Sequence, residues 1–468
     1  MMCATTATAA VAAIREAPVT DPQPTPLTVL FLPESAYGPT NQCIGLGDEL
    51  RRRGHRVVFA AESSWRGRLA ALGFEEDLVD LAPPPEQATG PDQAATGPDG
   101  TVVEPDAGQF WTDFVRETAP EFRKPTIEQL ETFILPTWQA LVDGAIYCEP
   151  QLREIVARTR PDVVVEDNVV AFPALTTSPA PFVRIVSCNP LEIGAPGLPP
   201  AYSGLPAADD AGWAAFRAEY DRVVRPAWKS FNDWVMAQGA APLPDLEFIH
   251  TSDAANLYVY PAEADYTDVR PLGPTWHRMD SSVRRTDDAY ELPAAVADRP
   301  AGSALVYLSL GSLGGADIDL MRRLVEVLAG TPHRYVVSTG PRGDELELAP
   351  NMVGAPFLPQ TRVIPLVDAV ITHGGNNTTT EALHFGKPMV ALPLFWDQYD
   401  NAQRMHELGF GVRLDTYGFA DGELPAAVET VLAPAFRQRL ADVGTAVRAR
   451  DGLRRGADVI EAVGRAGR

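Results

Sequence analysis

A chain of 468 residues has room for two or three domains, and an apolar content of 45% supports large cores. The formal net charge of −23 argues against nucleic acid or an anionic membrane as partner, since each wants a basic face. Four cysteines, Cys3, Cys43, Cys148 and Cys188, lie far apart without CxxC spacing, which reads as a reduced cytoplasmic protein with no bound metal.

Residues 1–26 are rich in Ala and Thr, end in a Pro-Gln-Pro-Thr-Pro run and lack a basic segment ahead of a continuous apolar core. They are expected to form a disordered extension and not a secretory signal. No apolar run reaches the roughly 20 residues of a membrane helix. Leu27–Leu32 and Arg56–Ala61 then read as buried strands, with an amphipathic helix Ile44–Arg53 between them closed by Gly54. This β-α-β start fits a doubly wound sheet. Ser63 and Ser64 are expected to cap a helix running to Leu72.

The Pro- and Gly-rich stretch Pro83–Asp106 carries a short duplication and no apolar period, and reads as a loop. Helices are expected over Gly108–Thr118 and Thr126–Ala157, whose aromatic residues, Trp138 among them, serve either the core or a greasy binding pocket, and over Ala211–Ala237 with Trp213, Phe216, Trp228 and Trp234. Strands are expected at Asp162–Asp167, ending in two acids, and at Phe182–Ser187. Asn256–Tyr260 closes a first domain over 27–260, and the aperiodic segment 261–300 reads as an interdomain linker. A second β-α-β series fills 301–450: strand Ala304–Leu310, helix Asp317–Ala329, strand Arg334–Ser338, the 363–370 region and a helical end from Glu423.

The most informative stretch is Val370–Asn401, VITHGGNNTTTEALHFGKPMVALPLFWDQYDN. A short buried strand runs into His373, Gly374 and Gly375. Asn376, Asn377 and Thr378 then suit a helix start. Strand, glycine turn and helix N-terminus together offer unpaired amides at the positive end of a dipole, an arrangement that suits phosphate. Glu381 lies inside the same helix, where an acid can accept from a diol. Met389–Leu394 reads as the next strand and delivers Asp397 and Gln398 at its C-terminal end, where open α/β sheets bind ligands.

With Ser309-Leu310-Gly311-Ser312 and Phe357-Leu358-Pro359-Gln360 upstream, this stretch resembles the donor signature of the nucleotide-sugar-dependent, inverting glycosyltransferases of plant natural products and actinomycete antibiotics. The resemblance implies an α/β GT-B fold of two Rossmann-like domains facing across a cleft, with a last helix over 451–468 crossing back to the first domain. It implies a UDP- or dTDP-sugar as donor, a small apolar acceptor and no metal or other cofactor. By family position His373, Gly375, Asn376, Asn377 and Thr378 face the diphosphate with Ser312 as a second contact. Gln360 reads the base, Glu381 binds the ribose, and Asp397 with Gln398 holds the hexose.

The resemblance breaks at the base. Members of the family carry a histidine after the first strand, oriented by an aspartate on a later one, and here Pro39 stands at the histidine's place. Asp167, at the partner aspartate's position, and Glu34 are the candidates to replace it, while an acidic acceptor would need little help. A weakly active sugar-nucleotide-binding auxiliary protein and a sugar-nucleotide epimerase are the competing readings. The acceptor, the choice of UDP or dTDP and the oligomeric state, a homodimer included, stay open.

Overall fold

The structure, a computed structural model, describes residues 25–83 and 116–467, with the side chains of 312 and 313 excepted. The expected extension 1–26, the loop Pro83–Asp106 and the helix Gly108–Thr118 lie wholly or mostly outside the described residues.

Two parallel sheets organise the chain. The first contains β1 Thr28–Pro33, β2 Arg56–Phe59, β3 Glu75–Glu76, β4 Val163–Asp167, β5 Phe182–Val186, β6 Ala255–Tyr258 and β7 Trp276–Arg278, in the order β3-β2-β1-β4-β5-β6-β7. The second contains β8 Leu305–Ser309, β9 Arg334–Ser338, β10 Met352–Ala355, β11 Ala369–Thr372, β12 Met389–Ala391 and β13 Gly411–Arg413, in the order β10-β9-β8-β11-β12-β13. Strands β4, β8 and β11 are buried at every residue, because helices cover both faces of a parallel sheet. In each sheet the strand order reverses at one central pair, β1/β4 and β8/β11, and ligand sites open at such reversals. Register sets Pro33 beside Asp167 at one switch point and Ser309 beside Thr372 at the other.

The longer helices are α1 Tyr37–Arg52, α2 Leu135–Thr159, α3 Trp213–Ala237, α4 Ile318–Ala329, α5 Asn376–His384, α6 Gln398–Glu407, α7 Glu423–Leu432, α8 Pro434–Ala449 and α9 Gly452–Ala466. Helix α1 begins seven residues earlier than the periodicity predicts and takes in Pro39. Proline is tolerated there because first-turn amides have no intrahelical acceptor. The helix expected from Ser63 breaks instead at Gly67, whose φ is 78°. The expected helix Thr126–Ala157 is interrupted by a π turn, Leu130–Ile134, before α2.

Part of the segment expected as a linker, 261–300, is built into the first sheet as β7, paired with β6. Three residues are too few for a period-2 pattern to register. Helix α9 packs on α1, β4, β6 and β7, burying Leu453, Ala457 and Ile460 in the first half's core. Burial of Leu453 and Ile460 is worth about 1.5–3 kcal/mol each. Gly456 permits the approach, since a Cβ there would lie 2.8 Å from Leu46.

Candidate active site

His373 follows β11 directly and is clasped between two glycines. A Cβ on Gly311, whose φ is 75°, would lie 2.7 Å from the imidazole Cε1, and one on Gly375 would lie 2.5 Å from Nε2. Burial pushes the imidazole down to about 4, partly opposed by a hydrogen bond to the Ser309 backbone, so the ring is neutral near pH 7. Gly375 caps α5 without a side-chain bond. The first in-helix bond runs from Thr379 N–H to Gly375 O at 3.0 Å, and helix geometry leaves the amides of Asn376, Asn377 and Thr378 without an intrahelical acceptor.

These residues line a cavity of ≈ 590 Å³ together with Gln360. Tyr37, Arg284, Asp287 and Phe357 also line it; of these only Phe357 stood out in the sequence, within the Phe357-Leu358-Pro359-Gln360 motif. Tyr37 of the first half stacks on Phe357 of the second, with ring centroids 5.9 Å apart. Ser312 sits in the short helix Gly311–Gly314 beside His373, with its side chain outside the described residues.

Three expected ligand contacts are used internally. Glu381 is 3% exposed and lies behind the wall. Its Oε2 accepts from Gln360 Nε2 at 2.7 Å and its Oε1 from Arg284 Nη1 at 3.1 Å. Asn376 donates from Nδ2 to Ser187 O at 2.7 Å and to Val259 O at 3.1 Å, both in the first half. Asn377 donates to Gly38 O at 2.8 Å and accepts from Gln42 Nε2. These asparagine side chains therefore brace α5 against the first half, while their backbone stays at the cavity. Local sequence could not show this, because the partners lie more than 100 residues away.

On the other side of the first turn of α1, a cavity of ≈ 170 Å³ brings together Asp167, Asp397, Gln398, Glu34, Pro39 and Trp396. Asp167 is 2% exposed. Its Oδ1 accepts from Ser187 Oγ at 2.7 Å and Cys43 Sγ lies 3.9 Å from Oδ2. Burial pushes its carboxyl well above the usual carboxylate range, with the Ser187 bond opposing. Glu34 turns toward the start of α1, accepting from Ser35 Oγ at 3.0 Å and Ala36 N–H at 2.9 Å.

Trp396, with φ at 57°, turns the chain in the left-handed region just before the acid–amide pair. Asp397 Oδ2 accepts from Asn189 N–H at 2.8 Å and Asn401 Nδ2 at 3.2 Å. Gln398 Oε1 accepts from the amides of Leu394 at 3.0 Å and Phe395 at 3.2 Å. Burial lifts Asp397 to about 7, against the Asn189 amide.

Val169 and Glu192 line both this cavity and a larger one of ≈ 660 Å³ in the first half, walled by Trp138, Tyr202, Phe216, Tyr220 and Phe248. Trp138 and Phe216 thus belong to the core and to a cavity wall at once. In the sequence Ser187 stood out only as a strand end and Cys188 only as an unpaired cysteine, and Asn189 went unnoticed. The available signal was their place at the C-terminal end of a parallel strand.

Residues 289–441 match the family described as UDP-glucoronosyl and UDP-glucosyl transferase. Oleandomycin glycosyltransferase of Streptomyces antibioticus is 26% identical over 462 residues, covering 94% of this chain and 91% of that protein. The solved glycotransferase of kitacinnamycin aligns with a TM-score of 0.66 at 23% identity, covering 94% of this chain and all of the other. The glycosyltransferase VinC, solved in complex with dTDP, aligns with a TM-score of 0.60 at 17% identity, with 94% and 100% covered. With the His373 turn at the strand-order reversal of the second sheet and the acid–amide pair after the neighbouring strand β12, the chain is a glycosyltransferase of the GT-B fold whose residues 289–441 are similar to the UDP-glucoronosyl and UDP-glucosyl transferase family.

Proposed function

We propose that the chain transfers a hexose from a UDP- or dTDP-sugar to a hydroxyl, or an activated carbon, of a small apolar natural product, with inversion at the anomeric carbon. The observation that carries this reading is the pairing of two unlike cavities across the first turn of α1. One has orphan amides and an imidazole suited to a diphosphate, and the other is a small, apolar-walled space with Asp167 and Asp397 at its edge. The dTDP seen in VinC and the antibiotic named for the Streptomyces relative support the donor and acceptor classes.

In this reading the diphosphate rests on the amides of residues 376–378 and against His373, with Ser312 nearby. The anion raises the imidazole's affinity for a proton, so that the ring donates to the leaving phosphate. Gln360 faces the base. Asp397 Oδ1 and Gln398 take the hexose hydroxyls, and the acceptor enters from the aromatic cavity in the first half. Its oxygen attacks the anomeric carbon in line while the carbon–oxygen bond to the diphosphate breaks, the electron pair leaving on phosphate. The acceptor proton passes to Asp167, whose burial raises its carboxyl well above the usual carboxylate range and so makes the carboxylate a stronger base. Helix dipole and imidazole supply the charge stabilisation, so no resident metal is invoked.

Incubation with UDP-glucose or a dTDP-hexose and a pool of phenolic, polyketide and macrolide acceptors tests this. Mass spectrometry should show hexose added, NMR should show the opposite anomer from the donor, and EDTA should leave the rate unchanged. Hydrolysis of the donor without transfer to any acceptor, or retention of configuration, would refute it.

A further inference from the structure

The carboxylate assigned to the donor hexose is held only in part by its own half of the molecule. Asn189 follows β5 of the first half, is 1% exposed and is fixed by its own turn. Its Oδ1 accepts from Leu191 N–H at 2.9 Å and its O from Glu192 N–H at 3.0 Å, while Pro190 limits the backbone that follows.

From this position Asn189 reaches across the cleft. Its backbone N–H donates to Asp397 Oδ2 at 2.8 Å, and its Nδ2 donates to Asn401 Oδ1 at 2.8 Å and to Tyr260 OH at 3.2 Å. Asn401, one helical turn after Asp397, returns a bond from Nδ2 to the same Oδ2 at 3.2 Å. The bonds close a ring through residues 189, 397 and 401. Both donors converge on one carboxylate oxygen, which leaves Oδ1 for a ligand hydroxyl in the cavity that Asp397 lines.

We propose that Asn189 is a positioning residue for the donor sugar: it orients Asp397 from the opposite half, so the hexose subsite is complete only when the two halves are docked. This rests on the reading of Asp397 as a hexose contact. The side chain must be an amide, because it accepts on one atom while donating on the other. Alanine would strand Asn401 Oδ1 in a buried site, and aspartate would set a second carboxylate against the ring. The Asn189 backbone N–H opposes the burial that lifts Asp397 to about 7, and so does Asn401 Nδ2, which the Asn189 side chain holds in place through Asn401 Oδ1.

Asn189 is absent from the wall of the nucleotide cavity, which separates its effect on sugar from any effect on nucleotide. Calorimetry on the full-length chain with UDP, dTDP, UDP-glucose and dTDP-glucose tests the assignment. In Asn189→Ala, affinity for the hexose conjugate is expected to fall about tenfold, while that for the bare diphosphate changes less than twofold. The kcat/KM for donor should fall with acceptor KM unchanged, and its acid limb should move to higher pH. Asn189→Asp, which keeps the shape if alanine fails to fold, should lose more conjugate affinity at pH 8 than at pH 6. Equal losses for diphosphate and conjugate would make Asn189 a plain interface contact and overturn the inference. No loss for either would overturn it as well. A wild-type chain that binds none of the four ligands would remove the donor reading itself.

Discussion

Asp397→Asn is expected to make the protein more stable and less active at once. Asp397 is 8% exposed, its bonds come from neutral donors, and burial raises its carboxyl from 3.8 to about 7. Three units correspond to about 4 kcal/mol of preference for the protonated form in the folded state. Because the folded pKa lies above the unfolded one, this stabilisation is fully present below pH 4 and is lost as pH rises toward 7. Asparagine keeps an oxygen for the Asn189 and Asn401 donors but carries no charge. The variant should therefore match wild type near pH 4 and exceed it by about 2–4 kcal/mol at pH 8. Thermal melts at pH 4, 5, 6, 7 and 8 read this directly: the difference in Tm should open between pH 4 and 7 and then stay flat. Donor kcat/KM should fall at least tenfold over the same range. A stability difference that does not change with pH, or a variant that loses ground as pH rises, would refute the reasoning.

Other outcomes follow from the same geometry. Asp167→Asn should cut kcat by about 10²–10⁴ with an ordinary aliphatic alcohol and much less with an acidic phenol, and it should remove the rise of rate with pH that ionisation of a raised carboxyl produces. Donor binding near pH 6 should take up a proton on His373, which is neutral in the free protein; calorimetry in buffers of different ionisation enthalpy should show this uptake, and His373→Ala should abolish it together with most of the turnover. Gly311→Ala should block the diphosphate, because its Cβ would come within 2.7 Å of the imidazole at a positive φ; unchanged UDP affinity by calorimetry would contradict the site. Asp400→Ala strands the amides of Tyr202 and Gly204, bonded at 2.6 and 2.8 Å, and should cost about 2–4 kcal/mol and expose residues 196–206 to limited proteolysis.

The sequence by itself determined the local pieces. Uninterrupted apolar runs reveal parallel strands because both faces of such strands are covered, so β1, β4, β8 and β11 were readable without coordinates. The His373-Gly374-Gly375 turn and the helix behind it were readable for the same reason: strand, glycine and cap are nearest-neighbour effects. The reading of Pro39 as standing where the resemblance expects a histidine needed only counting. What the tertiary structure decided is where side chains of distant segments meet. Asn376 and Asn377 suit a helix start and a phosphate equally well on paper, and only the approach of the first half turned their amides into braces. Glu381 became a buried link because Arg284, 97 residues earlier, folds over it. β7 and Asn189 carry no periodic pattern, and their roles exist only through partners across a sheet or a cleft. Hydrogen-bond partners are chosen by proximity in space, which local periodicity does not encode.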